Sequence, residues 1–86
     1  MVRERERLAT LEPGGTPERP IEVVTAALVE PRARSMPCPV CNAPVRVADH
    51  TARTVNGVPL RLAHVDCPMC GHARIVYFVI REPQPN

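Results

Sequence analysis

Apolar and polar residues alternate in short segments through the second half of the chain. The segment VPLRL at 58–62 places Val, Leu and Leu at alternate positions, and VRV at 45–47 has the same pattern. A period of two residues predicts strands with one buried side and one solvent-facing side. Asn56 and Gly57 lie between these segments, and both residues tolerate the positive φ that a type I′ turn requires. The pattern therefore predicts an antiparallel hairpin.

A third strand is predicted over ARIVYFVIR at 73–81, where both sides of the strand would be apolar. A three-stranded antiparallel sheet covers only one of those sides, so the other needs a lid. The segment 21–30, IEVVTAALVE, is the only comparably apolar stretch left. Its β-branched residues favour a strand, although Ile21, Val24 and Leu28 would also share a helical face. We expect 21–30 to pack on or pair with the sheet; otherwise the strand at 73–81 would bind a protein partner or form a homodimer.

The remaining segments complete a four-part organisation. Residues 1–20 combine mixed charges with few apolar side chains and predict a flexible N-terminal arm. Residues 21–35 are expected to form a strand and linker, 36–81 the main β module, and 82–86 a C-terminal tail. The predicted fold class is small all-β, an antiparallel three-stranded sheet with an additional N-terminal strand. A chain of 86 residues has a marginal hydrophobic core, so some further staple is expected.

Two cysteine pairs are the candidates for that staple. Cys38 and Cys41 form one CxxC turn, Cys67 and Cys70 form the other, and 25 residues separate the turns. Zinc takes four ligands in a tetrahedron, and two facing CxxC turns supply them with little strain. We therefore expect one Zn²⁺ ion. Four sulfur ligands close the coordination sphere, which indicates a structural metal rather than a catalytic one.

The cysteines have three other interpretations. A thioredoxin-like dithiol would lie at the start of a helix after a buried strand, and neither flank of the first pair fits that pattern. Disulfides need an oxidising compartment, whereas no secretory signal is recognisable and a cytoplasmic location is expected. An iron site would use the same four thiolates, so iron stays open as a less favoured alternative to zinc.

The residues that follow each pair are candidates for supporting the site. Asn42 and Gly71 suit the left-handed backbone that directs amide groups towards the sulfurs. His64 and His72 lie near the second pair and are interpreted as supporting residues, not ligands. No Ser, His or Cys has partners that indicate catalysis, so the sequence predicts neither an enzyme nor a small-molecule substrate.

The paired motifs CPVCN and CPMCG resemble the knuckles of the zinc ribbon family. The resemblance covers roughly Met36 to Arg81, and Asn42 departs from the usual glycine. It implies two knuckles that clamp one zinc above a small antiparallel sheet, in a module that often binds nucleic acid or protein.

Charge and hydropathy narrow the choice of partner. The apolar runs fall short of the roughly 20 residues that a membrane helix needs, so no membrane partner is expected. The net charge is only +2, which is small for a phosphate-binding surface. Arg46, Arg53 and Arg61 could still cluster on the outer face of the hairpin as phosphate or partner contacts. The sequence thus predicts a non-catalytic zinc protein that binds another protein or itself, with nucleic-acid binding as the alternative.

Overall fold

The hairpin predicted around Asn56 and Gly57 forms the centre of the fold. A computed structural model describes residues 12–81. In it, β2 (Arg46–Val55) pairs antiparallel with β3 (Val58–Asp66). Asn56 has φ 51° and Gly57 has φ 78°, the positive values that a type I′ turn requires. This part of the sequence prediction is confirmed.

The other two strands complete a four-stranded sheet on the far side of β3. β4 (Ala73–Ile80) pairs antiparallel with β3, and β1 (Ile21–Val23) pairs parallel with β4. The order across the sheet is β1-β4-β3-β2. The predicted fold, three antiparallel strands with an additional N-terminal strand, is confirmed.

Segment 21–30 contains both a strand and the start of a helix, the two structures that its sequence left open. After the three-residue β1 it forms a 3-10 turn (Ala26–Leu28) and the α-helix α1 (Val29–Arg34). The Thr25 hydroxyl accepts a hydrogen bond from the Ala27 N–H at 3.3 Å and caps the turn. Pro31 fits because it lies in the first turn of α1, where no helical N–H is needed. No helix among residues 12–81 is long and apolar enough to cross a membrane.

Helix α1 covers one face of the sheet. Val29 and Ala33 are fully buried in the same hydrophobic cluster as Val76 and Phe78 of β4. On the opposite face of the sheet, Val79 packs in a second cluster with neighbours from all three antiparallel strands. Both faces of β4 are therefore buried, and the predicted packing of 21–30 on the sheet is confirmed. The members of the second cluster, fully and partly buried, are Val55, Leu60, Leu62, Ile75, Tyr77 and Val79.

The described part of the N-terminal segment, residues 12–20, lies against the sheet. Of the predicted flexible arm, residues 1–11 lie outside the described residues, as does the predicted tail at 82–86. Residues 12–20 form turns in which the Gly14 N–H donates to the Arg19 carbonyl at 2.6 Å. The Gly14 carbonyl accepts from the Tyr77 N–H at 2.8 Å, and Gly14 itself is buried. This stretch is held against β4, because a glycine with φ 86° allows the backbone to approach Ile21 and Val76 closely.

Candidate metal centre

The four cysteines lie on two loops with matching backbone hydrogen bonds. In the first loop, between α1 and β2, the Asn42 N–H donates to the Cys38 carbonyl at 2.8 Å. In the second, between β3 and β4, the Gly71 N–H donates to the Cys67 carbonyl, also at 2.8 Å. A second bond closes each loop, from Cys38 N–H to Ala43 and from Cys67 N–H to the His72 carbonyl, each 2.9 Å. The CxxC sequences thus fold as two equivalent knuckles.

A left-handed residue ends each knuckle, as the sequence predicts. Asn42 has φ 63° and Gly71 has φ 78°. Asparagine is among the few residues other than glycine that adopt this conformation readily. The Val40 N–H then approaches the Cys38 Sγ at 3.4 Å. The departure from glycine at position 42 therefore leaves the knuckle geometry intact.

The two knuckles bring all four sulfur atoms into one cluster. The four Sγ atoms lie within 4.8 Å of one another. Cys38 Sγ is 3.6 Å from Cys70 Sγ, and Cys41 Sγ is 3.5 Å from Cys67 Sγ. A tetrahedral ion with metal–sulfur bonds of about 2.3 Å would hold its sulfurs about 3.8 Å apart. A disulfide would need about 2.0 Å, and all four cysteines are free. The spacing fits four ligands around one metal ion.

The first cysteine of each knuckle has a lowered pKa. Backbone N–H groups of Cys70 and Met69 lower the pKa of Cys67 to about 7, although burial opposes them. Burial raises the pKa of Cys38, but the N–H groups of Cys41 and Val40 outweigh it and lower the pKa overall. Amide dipoles therefore stabilise two thiolates before any cation contributes.

The second cysteine of each knuckle has a raised pKa. The His72 N–H lowers the pKa of Cys70, but burial and the three neighbouring thiols outweigh it and raise the pKa to about 12. The Ala43 N–H lowers the pKa of Cys41, and the Cys67 thiol and burial raise it overall. Four negative charges within this volume repel one another, so complete ionisation of the cluster requires a bound cation.

Burial divides the cluster into an inner and an outer half. Cys38 and Cys67 are 2 % exposed, whereas Cys41 and Cys70 lie at the surface. The inner pair anchors the centre to the body of the fold, and the outer pair leaves it open to an entering ion. Within residues 12–81, these four cysteines are the only group of His, Cys, Asp or Glu side chains placed to hold a metal.

The two histidines predicted to support the site have different roles. The His64 ring lies 3.0 Å from the Thr51 hydroxyl of the neighbouring strand β2, which fixes the ring beside the sheet. His72 contributes through its backbone, since its carbonyl accepts from Cys67 and its N–H lowers the pKa of Cys70. Neither ring belongs to the metal-binding group.

The three arginines proposed as phosphate or partner contacts do not form a cluster. Arg46 is paired with Asp66 on β3. Arg53 is opposite Leu60, and Arg61 is opposite Ala52 in the same hairpin, so Arg53 and Arg61 point to opposite faces of the sheet. Arg46 and Arg53 are seven positions apart along β2, which corresponds to roughly 23 Å of strand. The strand register therefore separates these side chains, and their role as phosphate or partner contacts stays a prediction.

Sequence reasoning missed Arg74, which lies beside the metal centre. Its side chain is half-buried, and burial lowers its pKa, while the charges of Glu12 and Cys38 raise it. A guanidinium near the cluster favours ionised sulfur. The sequence did contain a signal for this residue: an arginine in an otherwise apolar strand, four residues after the last cysteine.

Comparisons of the chain with protein-family models, curated proteins and solved structures found no match.

Proposed function

We propose that this chain is a zinc ribbon protein in which Cys38, Cys41, Cys67 and Cys70 hold one structural Zn²⁺ ion. The observation that carries the proposal is the gathering of four sulfur atoms within 4.8 Å by two matched knuckles. Thiolate ligands select zinc or iron over magnesium and calcium. Four protein ligands leave no position for water or substrate, which supports a structural and non-catalytic role.

We further propose that the function of this domain is to bind another protein. Support comes from the distribution of charge: the hairpin arginines are separated, and Arg46 is already paired with Asp66. A phosphate backbone is normally bound by a continuous basic surface. The four free thiols also suit a reducing compartment, so the proposal includes a cytoplasmic location.

Metal replacement tests the site itself. Protein refolded with Co²⁺ in place of zinc is expected to show the intense visible absorption of a tetrahedral thiolate complex, and added Zn²⁺ should abolish it. A weak spectrum typical of octahedral oxygen ligation would contradict the proposed four-sulfur site.

Binding to nucleic acid is the outcome that would overturn the proposed partner class. Fluorescence anisotropy with labelled nonspecific DNA and RNA is expected to show no binding by the zinc-loaded protein. Binding that weakens steeply as salt increases would instead show release of counterions from phosphates, and would assign the module to nucleic acid.

A further inference from the structure

We propose that a groove beside β1 binds an acidic, extended peptide segment of a partner protein, which adds as a strand to the open edge of β1. The inference rests on the proposed protein-binding function and names the surface and the chemistry of the partner. The groove lies between β1 and the 3-10 turn and helix that follow it, and has a volume of about 610 Å³. That size is typical of binding clefts. Val24, Leu28, Pro31, Arg32, Glu22 and Arg81 are among its lining residues.

The groove concentrates apolar side chains that the fold leaves exposed. Val24 is 48 % exposed and Leu28 is 43 % exposed. Within residues 12–81 only Val58 and Met69 are comparable large apolar side chains at the surface, so half of this set lines one groove. The internal packing of α1 is carried by Val29 and Ala33 instead. The exposed pair is therefore free to contact a partner.

The backbone of β1 offers a pairing edge at the same place. β1 is the outermost strand of the sheet, and its inner side is used by β4, where the Val23 carbonyl accepts from the Arg81 N–H at 2.8 Å. Since successive residues of a strand direct their backbone groups to opposite sides, the N–H and C=O of Glu22 point away from β4. An extended peptide can pair with those groups. Because β1 has only three residues, side-chain contacts must supply much of the affinity.

The charges at the rim select an acidic partner. Arg81 is paired with Glu22 at 2.9 Å. Arg32 is exposed, and no ion pair is described for it within residues 12–81. Two arginines and one glutamate leave the rim at +1, which complements a carboxylate. The apolar lining and the open strand edge both favour a polypeptide over a bare phosphate group, since a polypeptide carries apolar side chains and backbone amides together.

Display of random peptides against the zinc-loaded protein tests this proposal. Selected peptides are expected to combine Asp or Glu with alternating Val, Ile or Leu. Their affinity, measured by fluorescence anisotropy, should fall at least several-fold in Leu28→Asp and in Arg32→Glu. Arg34→Glu is the matched control, because it makes the same charge change on the same helix outside the groove, and it should bind as the wild type does. Circular dichroism and zinc content establish that each variant is folded.

Four results would overturn the assignment, and they separate it from the proposed function. Peptides that bind all three variants equally well would place protein binding on another surface and leave the general function intact. Selection of basic peptides, or of none, would contradict the charge argument. Sedimentation showing a dimer that Leu28→Asp dissociates would assign the groove to a second copy of the chain. Oligonucleotide binding that Arg32→Glu abolishes and Leu28→Asp spares would overturn both the groove and the protein-binding function.

Discussion

At the scale of single residues, the metal centre depends on which knuckle side chains face inward. Cys67 is 2 % exposed and lies in the sulfur cluster, whereas Met69, two residues later in the same knuckle, is 77 % exposed. The effect of substituting a ligand can therefore be compared with the effect of substituting an exposed residue of the same knuckle. Serine in place of a ligand is nearly isosteric but has a far more weakly acidic hydroxyl, which zinc binds poorly.

We therefore expect Cys67→Ser to lose its stoichiometric zinc and its cooperative thermal transition. Met69→Ser should retain both, since the Met69 side chain is exposed to solvent and is not one of the four ligands. Zinc content and circular dichroism melting are the measurements. Full zinc occupancy in Cys67→Ser, or loss of zinc in Met69→Ser, would show that the ligand set is wrong.

Glycine positions test the packing of residues 12–20 on β4. Gly14 and Gly57 both have positive φ, so alanine at either site costs about 1 to 2 kcal/mol. A Cβ at Gly57 meets nothing within 4 Å, but at Gly14 it would lie 2.8 Å from Ile21 Cδ1 and 2.9 Å from Val76 Cγ1. That overpacking adds about 1 to 3 kcal/mol to the cost of Gly14→Ala. We expect Gly14→Ala to melt clearly below Gly57→Ala, and equal melting temperatures would show that this segment is not held against β4.

The residue-level predictions from sequence succeeded where local conformation decides the outcome. Asn42, Gly71, Asn56 and Gly57 all adopt the positive φ expected from their types. Arg74 and Gly14 were missed, because their importance comes from contacts between segments far apart in sequence. For the same reason the sequence could not decide whether the hairpin arginines cluster, since that depends on strand register.

At the scale of elements, the lid formed by α1 is the part of the fold that the sequence left ambiguous. The β-branched residues at its start do form a strand, but only for three residues, and the rest turns into a helix. Two observations fix the position of that helix. Val29 and Ala33 are buried against the sheet, and His50 Nδ1 of β2 lies 3.4 Å from Glu30 Oε2. Hydrophobic periodicity alone could not divide so short a segment.

Two valines in this region should respond very differently to the same substitution. Val29 is fully buried, so Val29→Ala removes two methyl groups from the core and costs about 2 kcal/mol. In a domain of this size that loss lowers the melting temperature by roughly 8 to 16 °C. Val24→Ala, at an exposed site, should change stability by less than about 0.5 kcal/mol. Thermal melts of both variants at saturating zinc measure the difference, and similar values would mean that α1 does not cover the sheet.

At the scale of the whole molecule, metal binding and folding are expected to be one process. A metal ion held by the four cysteines would join the loop before β2 to the loop between β3 and β4. Structural zinc contributes about 10 to 16 kcal/mol in small domains, whereas the net stability of a domain is only about 5 to 15 kcal/mol. Loss of a structural zinc ion would therefore cost about as much free energy as the net stability of a typical domain.

Chelation should accordingly unfold the protein. Excess chelator under reducing conditions is expected to abolish the β-sheet circular dichroism and the cooperative thermal transition, and added zinc should restore both. A chelator-treated sample with proven metal loss but an unchanged melting curve would show that the hydrophobic clusters suffice without the ion.

The central claim is that four cysteines hold a single zinc ion, and elemental analysis of freshly purified, reduced wild-type protein tests it most directly. The account predicts one equivalent of zinc per chain and four thiols that become reactive only after the metal is removed. A protein without stoichiometric metal, or one whose cysteines are joined as disulfides, would contradict it.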